Sequence, residues 1–121
     1  NIKYEIDFID VKSYVNTKNT KPKLKDIGTV DVKNRNILIV EDIVDTGNTL
    51  SLLYEYYNDK NINDIKVISL LLKDRIQNND MKNHVDWHGF KVEDKYVIGY
   101  GLDINNLFRE LKDIYIKDEK K

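Results

Sequence analysis

Residues 37–57 read ILIVEDIVDTGNTLSLLYEYY. Four consecutive apolar residues, Ile37 to Val40, run straight into the carboxylates of Glu41 and Asp42. Asp45 and the turn Thr46-Gly47-Asn48-Thr49 follow. A short continuous apolar run is what a central parallel strand, buried on both faces, requires. Beyond the turn, Leu50, Leu53, Tyr54 and Tyr57 recur at i, i+3, i+4 and i+7, which predicts an amphipathic helix starting near Asn48 or Thr49. Strand, acidic corner and helix together make the unit from which α/β sheets are built. In such sheets ligands gather at the carboxyl ends of the strands, where loops lead into helices. The corner from Glu41 to Thr49 is therefore the first place to look for function.

The flanking sequence repeats the theme. Upstream, Ile2, Tyr4, Ile6 and Phe8 alternate with Lys3, Glu5 and Asp7, a period of two that predicts a half-buried strand. Val11 to Asp26 is polar, rich in lysine and holds the single proline, Pro22, so it reads as a long loop. Downstream, IKVISLLL from Ile65 to Leu72 predicts a second buried strand, and KYVIGYG from Lys95 to Gly101 another. Ile104, Leu107, Phe108 and Leu111 return to helical spacing, with Asp103 placed to cap that helix. The IYI run from Ile114 to Ile116 predicts a short terminal strand. This order points to an α/β sheet with parallel pairing at its centre.

Bulk properties narrow the class. The 121 residues fit one domain. Twenty Lys and Arg against 21 Asp and Glu leave a net charge of −1, which offers no coat for nucleic acid. There is no cysteine, so disulfides and thiolate metal sites are excluded. No apolar run approaches membrane-spanning length and the N-terminus lacks a signal-peptide pattern, so the expectation is a cytoplasmic protein without membrane or nucleic-acid partners. His84 and His88 are four apart, but Val85, Trp87 and Phe90 around them suggest a strand, which disfavours a helical zinc pair.

The chemistry of the corner can be read from its residue types. Gly47 allows a tight turn with backbone close to a ligand. The amides from Thr46 to Leu50 open a helix and, with its dipole, favour an anion such as phosphate. The hydroxyls of Thr46 and Thr49 add donors. Glu41 and Asp42 would repel that phosphate; they suit sugar hydroxyls or a hard cation such as Mg²⁺. Phosphate at one end, neighbouring hydroxyls and magnesium together describe a ribose 5-phosphate. Asp45 lies between the two groups and is left for proton transfer.

In this order of residues, ILIVEDIVDTGNTL resembles the phosphoribosyl-diphosphate signature of phosphoribosyltransferases. The chain also resembles hypoxanthine-guanine phosphoribosyltransferases along nearly its whole length, through IDFIDVKSY, LLLK, VDWHGF, KYVIGYGLDI and LFREL. The resemblance implies a type I phosphoribosyltransferase sheet, with parallel core strands and flanking helices. Residues 1–121 would form the C-terminal major portion of that domain, starting after the family's pyrophosphate-binding loop. It implies Ser13 and Tyr14 in a lid loop and Asp45 as the catalytic acid/base. Glu41, Asp42, Thr46, Gly47, Asn48, Thr49 and Arg109 would bind phosphoribosyl diphosphate or nucleotide. Lys73, Tyr96, Val97 and Asp103 would bind the purine, and Glu41, Asp42 and Asp103 would hold Mg²⁺. The partners implied are phosphoribosyl diphosphate and a 6-oxopurine, in a homodimer or homotetramer. Val15 departs from the glycine that usually follows the Ser-Tyr pair, and Tyr96 stands where Phe is common.

Taken singly, these residues have plainer readings: Lys73 and Arg109 as solvated charges, Tyr96 as strand packing, Asp103 as a helix cap. The alternative function is a phosphoribosyl-diphosphate-binding regulator or non-catalytic protein of the same fold. Lys73 and the Tyr96 platform argue against it.

Overall fold

The apolar run at 37–40 does form a strand, and the strand is longer than the run. The computed structural model describes residues 2–12, 23–26, 28–76 and 84–117. A short antiparallel ribbon pairs β1 (Asp10–Lys12) with β2 (Lys23–Asp26). Then come β3 (Asn36–Val44), α1 (Asn48–Asn58), β4 (Asp64–Lys73) and β5 (Trp87–Val92). Finally β6 (Tyr96–Ile98) pairs antiparallel with β7 (Tyr115–Lys117).

The centre is a three-stranded parallel sheet in the order β3-β4-β5. Parallel neighbours need a crossover, and α1 supplies it between β3 and β4. Its Leu50 and Leu53 pack with Ile39 and Val44 of β3, Val67 and Leu72 of β4, and Val85. Each such side chain contributes about 1.5–3 kcal/mol by leaving water, so this cluster fixes the angle between the helix and the carboxyl ends of β3 and β4. A second cluster of Leu71, Val97 and Leu102, with Ile43, Leu70, Val92 and Ile114 against it, ties β6 and the following loop to the same ends of the sheet. Both clusters draw on the end of β3, the first through Val44 and the second through Ile43.

Four expectations need correction. The Ile37–Val40 strand is not buried on both faces: Leu38 is 57% and Val40 73% exposed, because α1 covers one side and no described element covers the other. The N-terminal alternation does not form a half-buried strand. Residues 2–9 pair with no strand among the described residues, and Ile2, Tyr4, Ile6 and Phe8 are exposed. That segment is anchored by Asp7, whose carboxylate accepts the amides of Thr29 at 2.7 Å and Val30 at 2.9 Å. The span from Val11 to Asp26 is not wholly loop, since its two ends form the β1–β2 ribbon.

The fourth concerns Ile104 to Leu111, which is not a helix. Tyr100, Asn105, Asn106 and Phe108 all have positive φ, which a right-handed helix forbids. Asn105 and Asn106, at φ 55° and 65°, close a two-residue turn in which Ile104 and Leu107 exchange amide–carbonyl bonds of 3.2 and 3.1 Å. Asn tolerates that conformation better than other side chains and is a poor helix former, so turn chemistry overrides the apolar spacing. The predicted strands at Ile65–Leu72, Lys95–Gly101 and Ile114–Ile116 are recovered as β4, β6 and β7 with shifted ends.

Candidate functional site

Strand β3 continues to Val44, four residues past the end of the apolar run. Glu41 and Asp42 are therefore strand residues; Glu41 stands opposite Ser69 of β4. Adjacent strand residues leave the pleat on alternate sides. Glu41 is half-buried, and burial, followed by the neighbouring charge of Asp42, pushes its carboxyl up to about 7 from 4.5. Asp42 is exposed, and its Oδ1 accepts the Ile43 amide at 2.7 Å.

The corner proper is Asp45-Thr46-Gly47. Gly47 is buried and sits at φ 77°, a left-handed conformation that favours glycine. It serves as the N-cap of α1, and its carbonyl accepts the Ser51 amide at 2.9 Å. Glycine has no side chain with which to cap the first turn. The only side-chain help described is Thr46 Oγ1, which accepts the Asn48 amide at a long 3.4 Å. The positive end of the helix dipole lies at this start. Asn48 is exposed and Thr49 half-buried at this end.

Beside the corner lies a cleft of about 520 Å³, within the size range of small-molecule sites. Asp42, Ile43 and Asp45 line it from the end of β3 and the corner, and Lys73, Asp94, Tyr96, Val97 and Asp103 line it from the end of β4, from β6 and from the loops around β6. Six of the residues singled out from sequence, scattered over 62 positions of the chain, thus meet around one space. The Thr46–Thr49 loop, Glu41 and Arg109 are not among its lining side chains. Ser13 and Tyr14 lie outside the described residues.

Lys73 is not a solvated charge. It is 4% exposed at the end of β4, and its Nζ donates to the carbonyls of Glu93 (3.2 Å) and Lys95. Two of its three ammonium donors thereby pin the β5–β6 loop. Tyr96 presents an exposed ring next to buried Val97. Asp103 caps a turn, not a helix: its Oδ2 accepts the Asn106 amide at 2.7 Å while its Oδ1 pairs with Arg109 Nη2 at 2.8 Å. Arg109 also donates through Nη1 to the Gly101 carbonyl at 2.8 Å, so its guanidinium is folded back onto its own loop.

One residue of the site was not singled out from sequence. Arg75, two positions beyond the end of β4, reaches into the cleft. Its Nε donates to the Asp45 carbonyl at 2.9 Å, its Nη2 pairs with the Asp45 carboxylate, and its Nη1 lies 3.2 Å from Asp94. The available signal was positional: a charged residue just past a parallel strand's carboxyl end is on the ligand side of the sheet.

Among the described residues no three His, Asp or Glu side chains gather as a ready-made metal cage. Asp42 and Asp103 both line the cleft and carry hard oxygen donors, those of Asp103 shared with the Asn106 amide and Arg109. That is the donor set Mg²⁺ takes when substrate oxygens and water complete its shell. No described helix is long and apolar enough to cross a membrane.

Comparison with known proteins agrees with this arrangement. A family model described as the phosphoribosyl transferase domain matches residues 1–105. The hypoxanthine-guanine phosphoribosyltransferase of Bacillus subtilis is 42% identical over 109 residues, covering 88% of this chain and 59% of that protein. The human protein of the same name is 40% identical over 117 residues, covering 94% and 52%. Among solved structures, a variant of the hypoxanthine phosphoribosyltransferase of Trypanosoma cruzi, complexed with the product IMP, superposes with a TM-score of 0.83 at 32% identity. That match covers 98% of this chain and 60% of the other. The chain thus spans about half the length of the curated relatives it matches. With its parallel core, its acidic corner and a family match that runs over most of its length, the chain belongs to the phosphoribosyl transferase domain family.

Proposed function

We propose that the protein transfers the 5-phosphoribosyl group from phosphoribosyl diphosphate to hypoxanthine or guanine, giving IMP or GMP and diphosphate, in purine salvage. The observation that carries this reading is the cleft itself, which brings Asp42 and Asp45 together with Lys73, Tyr96 and Val97 around one space. The names and bound ligands of the relatives, IMP in the Trypanosoma cruzi structure among them, support the same chemistry.

Each residue then has a task. The start of α1, from Thr46 to Thr49, receives the 5-phosphate and so fixes the anomeric carbon through the far end of the substrate. Glu41 and Asp42 take the ribose hydroxyls. Asp45 holds or accepts the proton at the purine N7 while N9 forms the new bond to the anomeric carbon and diphosphate departs. Lys73 donates to the 6-oxo group, which adenine lacks; rejection follows because a buried donor would be left unpaired. Tyr96 stacks on the base, Val97 offers backbone to its edge, Asp103 belongs to the base pocket, and Arg109 takes the diphosphate. Ser13 and Tyr14 belong to a lid that keeps water from the activated sugar. Asp42 and Asp103, with Glu41 nearby, would hold Mg²⁺, which when bound offsets the charge of the leaving diphosphate. Residues 1–121 form the C-terminal major portion of a phosphoribosyltransferase domain, in a protein that works in the cytoplasm as a homodimer or homotetramer.

Titration calorimetry with phosphoribosyl diphosphate and Mg²⁺, followed by a spectrophotometric assay with each purine, tests the reading. Asp45→Asn is expected to lower kcat by about 10²- to 10⁴-fold with sugar-phosphate affinity nearly unchanged. Equal loss of both would remove Asp45 from the role of acid/base. Binding by the wild type without turnover of any purine would favour a regulatory protein of the same fold.

A further inference from the structure

We infer that Arg75 is a positioning residue for Asp45, holding the carboxylate at the junction between the sugar end and the base end of the cleft. The inference rests on the transferase reading above and adds to it a residue outside the acidic corner. Three contacts carry it. The guanidinium grips Asp45 twice, through Nε to the backbone carbonyl at 2.9 Å and through Nη2 to the carboxylate. Its third arm, Nη1, reaches Asp94 of the β5–β6 loop at 3.2 Å. A planar fork of fixed geometry can satisfy backbone and side chain of one residue together, which a lysine ammonium cannot.

The contact also answers a structural need. Asp45 is the first residue after β3, exposed, with the flexible Gly47 two positions on. Without a partner its side chain would sample several rotamers, and proton transfer requires a single placement within hydrogen-bond reach. Arg75 supplies that placement from the end of β4, a strand buried in the core at Leu71, Leu72 and Lys73. Asp94 steadies the guanidinium in turn. Because Arg75 and Asp45 are both about half exposed, their pairing contributes little to fold stability after solvent screening. Its consequence falls on turnover.

The test compares Arg75→Gln, Arg75→Lys and Asp94→Asn with the wild type by steady-state kinetics, thermal melting and calorimetry with phosphoribosyl diphosphate and Mg²⁺. Arg75→Gln is expected to lower kcat by about 10- to 100-fold, the scale of a misplaced catalytic group, with KM for phosphoribosyl diphosphate within about twofold and Tm unchanged. Arg75→Lys should recover part of the loss. Asp94→Asn, which keeps both Asp45 contacts, should lose less than about fivefold. A wild type that turns over while Arg75→Gln keeps full kcat, or loses only affinity or only stability, overturns the positioning role alone. A wild type that turns over no purine overturns the transferase reading and this role with it.

Discussion

Glu41 provides a stability test that needs no substrate. Its carboxyl is lifted from 4.5 to about 7, first by burial and then by the charge of Asp42. A carboxyl that binds its proton more tightly in the fold than in the unfolded chain stabilises the fold only while protonated. That contribution is complete below about pH 4.5 and is lost as pH rises through about 7. Each pH unit of displacement is worth about 1.4 kcal/mol, so the ceiling is about 3 kcal/mol. The side chain keeps contact with solvent, and screening reduces this to about 1–2 kcal/mol. Glu41→Gln keeps the shape and removes the ionisation. Near pH 5 the variant and the wild type should melt together. At pH 8 the variant should melt higher by about 4–8 °C, given about 4 °C per kcal/mol for a chain of this size. The measurement is circular dichroism melting from pH 5 to pH 8 with EDTA present, so that no divalent cation competes with the proton. Melting curves of the two proteins that stay parallel across the range would refute the burial argument, and a variant less stable at pH 8 would reverse it.

Two further substitutions probe the frame around the cleft. Gly99, at φ 89°, would put an added Cβ into the Asp113 carbonyl, whereas Gly101, at φ 95°, has open space there. Gly101→Ala should cost about 1–2 kcal/mol of backbone strain and Gly99→Ala about 2–4 kcal/mol, with the order of their urea midpoints as the check. Lys73→Met removes the two bonds to the Glu93 and Lys95 carbonyls. It should cost about 1–2 kcal/mol and speed hydrogen exchange in residues 93–96, and unchanged exchange there would mean that the loop is held by something else.

The parts of the fold legible in sequence are those where one local rule decides. Apolar runs at 37–40 and 65–72 became β3 and β4, and the spacing Leu50, Leu53, Tyr57 became the buried face of α1. These segments pack against each other across short separations, so pattern and context agree. The misreadings fell where two rules competed. At Ile104–Leu111 helical spacing was real, but Asn105-Asn106 preferred a turn, and the bridge Ile104–Leu107 uses the same apolar residues in a different geometry. At Ile2–Phe8 the alternation was real too. A strand also needs a neighbour to pair with, and residues 2–9 pair with none among the described residues. Periodicity reports which face of an element is apolar, not whether anything meets it.

The site was legible for a different reason. A ligand cleft at the end of a parallel sheet draws on the residues just past each strand, so its members appear in sequence as short polar clusters after apolar runs. Asp42 and Asp45 follow one such run, Lys73 ends the next, and Tyr96 to Asp103 follow the last. What sequence cannot carry is the pairing between clusters. Lys73 was assigned to a ligand, yet its ammonium already bonds two loop carbonyls, so any contact with a base is made by a group that also holds the wall in place. Arg75 is marked locally only by its place just past β4, which does not say what it touches; its importance comes from Asp45, 30 residues away along the chain. The two cases share one cause. Charged side chains at a cleft are chosen for what they touch across it, and that choice is made by the fold after the strands are in register.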